Sequence, residues 1–218
     1  LIAKYYEYRE NYDMALEKIK KIKNKNSDYY DELLYIYDEI DNIEEIIKNS
    51  AEYIKKYPKT ESGYRYKAGA YIENDKYDEA LKVYDDGIKN IKNSVGLFNC
   101  KGSVYYFLEK YDDAIKILDK SIALPLESYE TGRAYMLRGK AYEKIGNYKE
   151  AEKNYLSAIE INLSDGENYD RRKLSIECYE KLIELYTESM EREKAAECEA
   201  KKNEIEEYRN ILIAKEPD

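Results

Sequence analysis

Gly146-Asn147-Tyr148-Lys149-Glu150-Ala151 is a short polar turn followed by a Tyr and, three places later, an Ala. The same Tyr-x-x-Ala recurs at Tyr12-Asp13-Met14-Ala15, Tyr77-Asp78-Glu79-Ala80 and Tyr111-Asp112-Asp113-Ala114. Ala80 and Ala114 are 34 residues apart, and so are Tyr77 and Tyr111, Tyr71 and Tyr105, and Tyr64 and Phe98. One period shared by four positions marks a repeat architecture, in which each unit buries its apolar face against its neighbours. Ala151 follows Ala114 by 37 residues, which is the period plus a three-residue insertion around Leu124-Pro125-Leu126-Glu127.

Composition decides what the repeats are made of. The chain is 43% hydrophobic, but 27 of those residues are Tyr. Its charged fraction of 38% exceeds the roughly 25% of average domains. Only 3 Pro and 9 Gly interrupt it. This profile fits long, solvated helices around a modest core and excludes a sheet protein. Disorder is excluded too, because the aromatic and apolar residues are numerous and regularly placed.

The net charge of −9 is spread along the chain. That disfavours a nucleic-acid groove, which needs clustered Lys and Arg. No apolar run approaches the ~18 residues of a membrane-spanning helix. Cys100, Cys178 and Cys198 form no Cys-x-x-Cys pair, and the chain has no His. Buried free thiols are therefore expected in place of a disulfide framework or metal site, and a cytoplasmic setting is favoured. Leu1 is not a Met and residues 1–9 already read as helix, so a piece of a longer chain is expected. The Tyr-, Lys-, Asn- and Ile-rich usage points to an AT-rich, bacterial genome.

The pattern resembles the tetratricopeptide repeat, a 34-residue helix–turn–helix unit. In that family, positions 4, 7, 8, 11, 20, 24, 27 and 32 usually hold Trp, Leu, Gly, Tyr, Ala, Phe, Ala and Pro. The unit 61–94 supplies Tyr64, Lys67, Ala68, Tyr71, Ala80, Tyr84, Gly87 and Lys92. The unit 95–128 supplies Phe98, Lys101, Gly102, Tyr105, Ala114, Leu118, Ser121 and Leu126. The unit 132–165 supplies Tyr135, Arg138, Gly139, Tyr142, Ala151, Tyr155, Ala158 and Leu163. Small residues let helices approach, while Tyr replaces Trp and Phe between hairpins. A buried Tyr needs its hydroxyl satisfied, so each ring tip is expected at the edge of the core.

The resemblance implies an all-α, right-handed α-α superhelix of stacked antiparallel hairpins, read as a single solenoid over 1–218. Its units are 1–26 (truncated), 27–60, 61–94, 95–128, 132–165 and a capping unit 169–214. Leu1–Arg9 is expected to be the rest of a first helix carrying Tyr6, with Tyr12–Lys25 as its partner and residues 24–28 as a loop. Leu34 and Ile46 are larger than the usual small residues, which leads us to expect a splayed hairpin. Asn74, Asp75, Asp78, Asp112, Asp113, Asn147 and Glu150 are placed to cap the Tyr-x-x-Ala helices or occupy their first turns, and Gly146 suits a left-handed residue ending the preceding helix. Beyond Ile161 the spacing breaks. A loop over 163–168, a helix over 169–188 with Tyr179 at position 4, and a final helix over 191–213 are expected.

Without His there is no His-based acid–base catalysis and none of the usual nucleophile triads. No phosphate-binding Gly-rich loop is present. Carboxylate pairs such as Asp85/Asp86 read as solvated helix faces. The chain is therefore read as a non-enzyme with no cofactor and no metal.

What the resemblance implies is a protein–protein interaction scaffold that holds a peptide or partner helix in a concave groove at positions 2, 5, 6, 9, 12 and 13. The successive sets run from acidic (Asp28, Asp31, Glu32, Tyr35, Asp38, Glu39), through Ser62, Arg65, Tyr66, Gly69, Ile72 and Glu73, to aromatic and basic. From these we single out Arg65, Asn99, Tyr106, Phe107, Arg133, Met136 and Lys140 as peptide-binding candidates, suited to hydrophobic anchors with acidic groups. The two-carboxylate clamp of chaperone adaptors is not carried over, because its slots read Arg65, Gly69, Cys100, Arg133 and Leu137. The alternatives are a structural spacer that self-associates through stacked end hairpins, and a regulatory segment of a larger protein. A monomer binding protein or peptide, not nucleic acid, is the expectation.

Overall fold

The computed structural model describes residues 12–125, 129–164 and 169–213. These form eleven helices and no strand. They are α1 (Tyr12–Ile19), α2 (Ser27–Glu39), α3 (Ile43–Lys56), α4 (Glu61–Glu73), α5 (Tyr77–Asn90), α6 (Val95–Phe107), α7 (Tyr111–Ile122), α8 (Tyr129–Lys144), α9 (Tyr148–Leu163), α10 (Tyr169–Glu188) and α11 (Arg192–Ile213). The expected first helix over 1–9, Leu126 and Glu127 of the insertion, and residues 165–168 lie outside the described residues. The chain divides into two compact units, residues 1–100 and 101–218.

The period has a physical origin in five copies of one turn. In each, the second residue after the first helix is left-handed: Asp41, Asp75, Glu109, Gly146 and Met190, with φ of 53°, 55°, 58°, 77° and 62°. The next amide donates back five residues to a tyrosine carbonyl, pairing Asn42 with Tyr37, Lys76 with Tyr71, Lys110 with Tyr105, Asn147 with Tyr142 and Glu191 with Tyr186, all at 2.8–2.9 Å. The left-handed residue's own amide bonds three residues back, as in Asp75 to Ile72 at 3.0 Å. This is a Schellman closure. The residue that closes it also starts the next helix, since its carbonyl accepts from Ile46, Ala80, Ala114, Ala151 or Ala195. The tyrosine at position 11 and the small residue at position 20 are therefore locked in register by the backbone.

Three expectations are corrected. Asn74 is the C-cap of α4 and Asp75 is the left-handed residue, so neither caps α5. Lys76 occupies that N-cap and makes no side-chain capping bond. Ser27 begins α2 instead of lying in a loop, because the Asn26 side chain accepts from the Tyr29 amide at 3.0 Å and caps the helix. Helix α1 ends at Ile19, six residues short of Lys25, as bonds from Lys21 to Lys18 and from Ile22 to Ile19 tighten its last turn.

In the first unit, α2 and α3 run antiparallel and are joined by two tyrosines. The Tyr30 and Tyr53 rings stack with centroids 5.0 Å apart. The Tyr30 hydroxyl donates to Glu52 at 2.6 Å and the Tyr53 hydroxyl to Asp31 at 3.0 Å, each on the other's helix. Burial foremost, then these acids, raises both phenol pKa values. Leu34 and Ile46 are fully buried in the same core.

In the second unit, Ala151 and Ala158 are fully buried, and a Cβ on Gly139 would lie 2.8 Å from the Tyr155 ring. Tyr155 donates to Glu143 at 2.7 Å and Tyr186 to Glu152 at 2.6 Å. The hydroxyls thus reach acids at the margin of the core. Helix α11 buries Cys198 and Ile205 against α10, while Glu193, Lys194, Glu197, Lys201 and Glu204 are exposed. That polar outer face suits a terminal cap. None of the three cysteines forms a disulfide; Cys178 and Cys198 are buried and Cys100 is half-buried.

Candidate functional site: the groove face of each unit

On α4, Ser62, Arg65, Tyr66, Gly69 and Glu73 fall at three- and four-residue spacing, which places them on one helix face. Together with Asp38 near the end of α2, they line a hollow of about 480 Å³. All six fall at the groove positions that the family resemblance implies. Gly69 keeps the hollow open, since a Cβ there would meet nothing within 4 Å. Tyr66 is half-buried.

Negative charge dominates the hollow. Burial, then Asp38 and Asp31, raises the Tyr66 hydroxyl to about 12, with Arg65 opposing. The Asp38 carboxyl is raised by burial, Glu39 and Asp41, and that of Glu73 by burial, Asp38 and Asp41. Among the described residues neither Asp38 nor Glu73 forms an ion pair, and Arg65 is the single cation of the lining. Chemically the arrangement is a two-carboxylate receptor with an aromatic wall. It offers a side-chain cation both charge and a ring face.

Of the sequence candidates in the first unit, Arg65 lines this hollow, whereas Asn99 is 1% exposed. In the second unit, Tyr106 is half-buried and meets Tyr111 edge-on, with centroids 5.5 Å apart. Phe107 is 66% exposed at the end of α6. Arg133 is half-buried and lowers the otherwise raised pKa of Tyr129, whose main shift comes from burial. Met136 is 6% exposed and belongs to the core with Leu174 and Leu182.

Lys140 is paired with Glu177 at 2.5 Å. Lys181 bonds Glu184 at 2.6 Å and lies 4.0 Å from Glu143. Of the basic wall expected here, Lys140 is thus neutralised from α10. Sequence reasoning missed Glu177 and Lys181, although placing Tyr179 at position 4 puts them at groove positions 2 and 6. Among the described residues, no cluster of Cys, Asp and Glu could hold a metal ion. No helix there is long and apolar enough to cross a membrane.

Residues 93–164 match the family model described as Tetratricopeptide repeat. Residues 93–164 carry tetratricopeptide repeats. Solved structures agree in fold. MamA from Desulfovibrio magneticus RS-1 superposes with a TM-score of 0.61 at 18% identity, covering 85% of this chain and 98% of that one. TTC0263, a thermophilic tetratricopeptide repeat protein of Thermus thermophilus, gives 0.58 at 20% identity, covering 81% and 94%. PilF of Pseudomonas aeruginosa gives 0.57 at 14% identity, covering 87% and 97%. No curated protein matches the chain. Tetratricopeptide repeat proteins bind protein partners and are generally non-catalytic scaffolds, and this chain shares that architecture.

Proposed function

We propose that this tetratricopeptide repeat protein is a non-catalytic scaffold that grips a peptide or partner helix on the groove face of its helices. In this reading the first unit takes a basic side chain of that ligand. The observation that supports it is the hollow on α2 and α4, lined by Asp38, Arg65, Tyr66 and Glu73 at groove positions. Two carboxylates without ion pairs beside a Tyr wall suit Lys or Arg better than the acidic groups inferred from sequence. The chain has no His, and the two acids of the hollow repel one another. The buried free thiols support a cytoplasmic setting.

The test is fluorescence polarisation with labelled Lys/Arg-rich and Asp/Glu-rich peptide pools. Basic pools are expected to bind. Asp38→Lys with Glu73→Lys is expected to weaken them about ten-fold or more, the scale of a truncated charge pair at an interface. Capture unchanged by that double reversal overturns the first-unit site. Tight binding of acidic pools that is lost in Arg133→Glu with Lys140→Glu would instead place the ligand on the second unit.

A further inference from the structure

The turn edge of the second unit carries a protrusion beside a hollow. Met190 is 82% exposed and sits in the left-handed region at φ 62°. The equivalent turn residues are Asp41, Asp75, Glu109 and Gly146, so a large apolar side chain at this joint is peculiar to the last hairpin. The position costs twice, once in backbone conformation and once in exposed apolar surface. A side chain so exposed recovers little of either cost from its own chain. Flanking it, Ser189 and Glu191 line a hollow of about 450 Å³ whose apolar wall is Tyr148, Leu185 and Tyr186. Tyr148 is itself 54% exposed. At the hollow's rim stand Lys149 and Glu188, both exposed and, among the described residues, without an ion pair.

We infer that this edge is a self-complementary contact between two copies of the chain, separate from the groove. Because protrusion and hollow are neighbours on one molecule, a two-fold axis beside the turn seats each Met190 in the hollow of the other copy. The flexible thioether then meets the exposed ring of Tyr148, a favourable sulfur–aromatic contact. The same axis sets Lys149 of one copy against Glu188 of the other, using the two charges that remain unpaired at the rim. A second copy fits better than an unrelated partner, because one surface supplies the knob, its socket and both signs of charge. The contact differs from stacked end hairpins, since the outer face of α11 is charged.

Sedimentation equilibrium of the full chain, from low micromolar to near-millimolar concentration, tests this. A reversible monomer–dimer equilibrium is expected. Met190→Gly should lower the association constant about ten-fold or more, as loss of a central anchor does, while leaving the circular dichroism spectrum unchanged and the melting temperature at or above that of the unmodified chain. Lys149→Glu and Glu188→Lys should each weaken the dimer, and their combination should restore it. The inference is overturned if the unmodified chain stays monomeric throughout, if Met190→Gly dimerises as before, or if the double swap fails to recover what the single changes lose. None of these outcomes depends on the groove.

Discussion

Tyrosine in this protein is a bonded core residue. Tyr30, Tyr53, Tyr155 and Tyr186 each place a ring in the interior and hand the hydroxyl to a carboxylate on a neighbouring helix. A Phe would fill the same space and leave that acid without its donor. Tyr155→Phe is therefore expected to destabilise by about 1–2 kcal/mol in urea denaturation, the usual cost of orphaning a partly buried partner. Tyr66→Phe is the control. Its hydroxyl bonds nothing among the described residues, so a change within about 0.5 kcal/mol is expected. The sequence showed that the ring tips must reach the edge of the core. It did not show which acid each finds, because the partners lie 22, 12 and 34 positions away and only the packed geometry selects them. The shared face of Arg65, Tyr66 and Gly69 was legible through the groove positions that the family resemblance implies, but the hollow they form with Asp38 was not. The pairing of Glu177 with Lys140 was not legible either, because Tyr179 at position 4 gives Glu177 a groove position but only the packed fold brings it to a partner 37 positions away.

At the scale of elements, the five turns share one backbone closure but not one cap. Asn42 accepts from the Glu45 amide and Asn147 from that of Glu150, whereas Lys76 stands at the same joint before Glu79 with no side-chain bond. A Lys there also meets the positive end of α5. Lys76→Asn recreates the arrangement of its sister turns and is expected to stabilise the chain by about 0.5–1 kcal/mol, read as a higher melting temperature. A fall instead would show that Lys76 makes a contribution the turn geometry does not reveal. Element identities were plain from the period, but element ends were not. Asn and Asp serve equally as caps, as first-turn residues and as left-handed residues, so Asn74-Asp75 could be assigned to the wrong side of the joint from sequence alone.

Across the whole molecule the tyrosines act together when the solution turns alkaline. Burial foremost raises the pKa of Tyr30, Tyr53, Tyr84, Tyr155 and Tyr186 above the ordinary phenol value. The native chain therefore keeps protons that the unfolded chain releases above pH ~10. Stability from this source is complete below that pH and falls as the pH climbs toward the native values. Melting temperature should be flat to about pH 9 and then drop with a slope reflecting several protons, a larger fall than a single phenol could give. A flat profile beyond pH ~10 would show that the buried hydroxyls titrate normally. A different consequence follows from the shared turn at Asp41, Asp75, Glu109, Gly146 and Met190. A gene cut at one of these joints and rejoined at another reproduces an existing junction, so whole hairpins can be duplicated or deleted with no new joint to be perfected by selection. The extra residues that stretch the later spacings to 37 and 44 all fall between joints, which is where insertions leave the closure undisturbed. Repeat number can drift by recombination, while the joint common to every copy is held fixed.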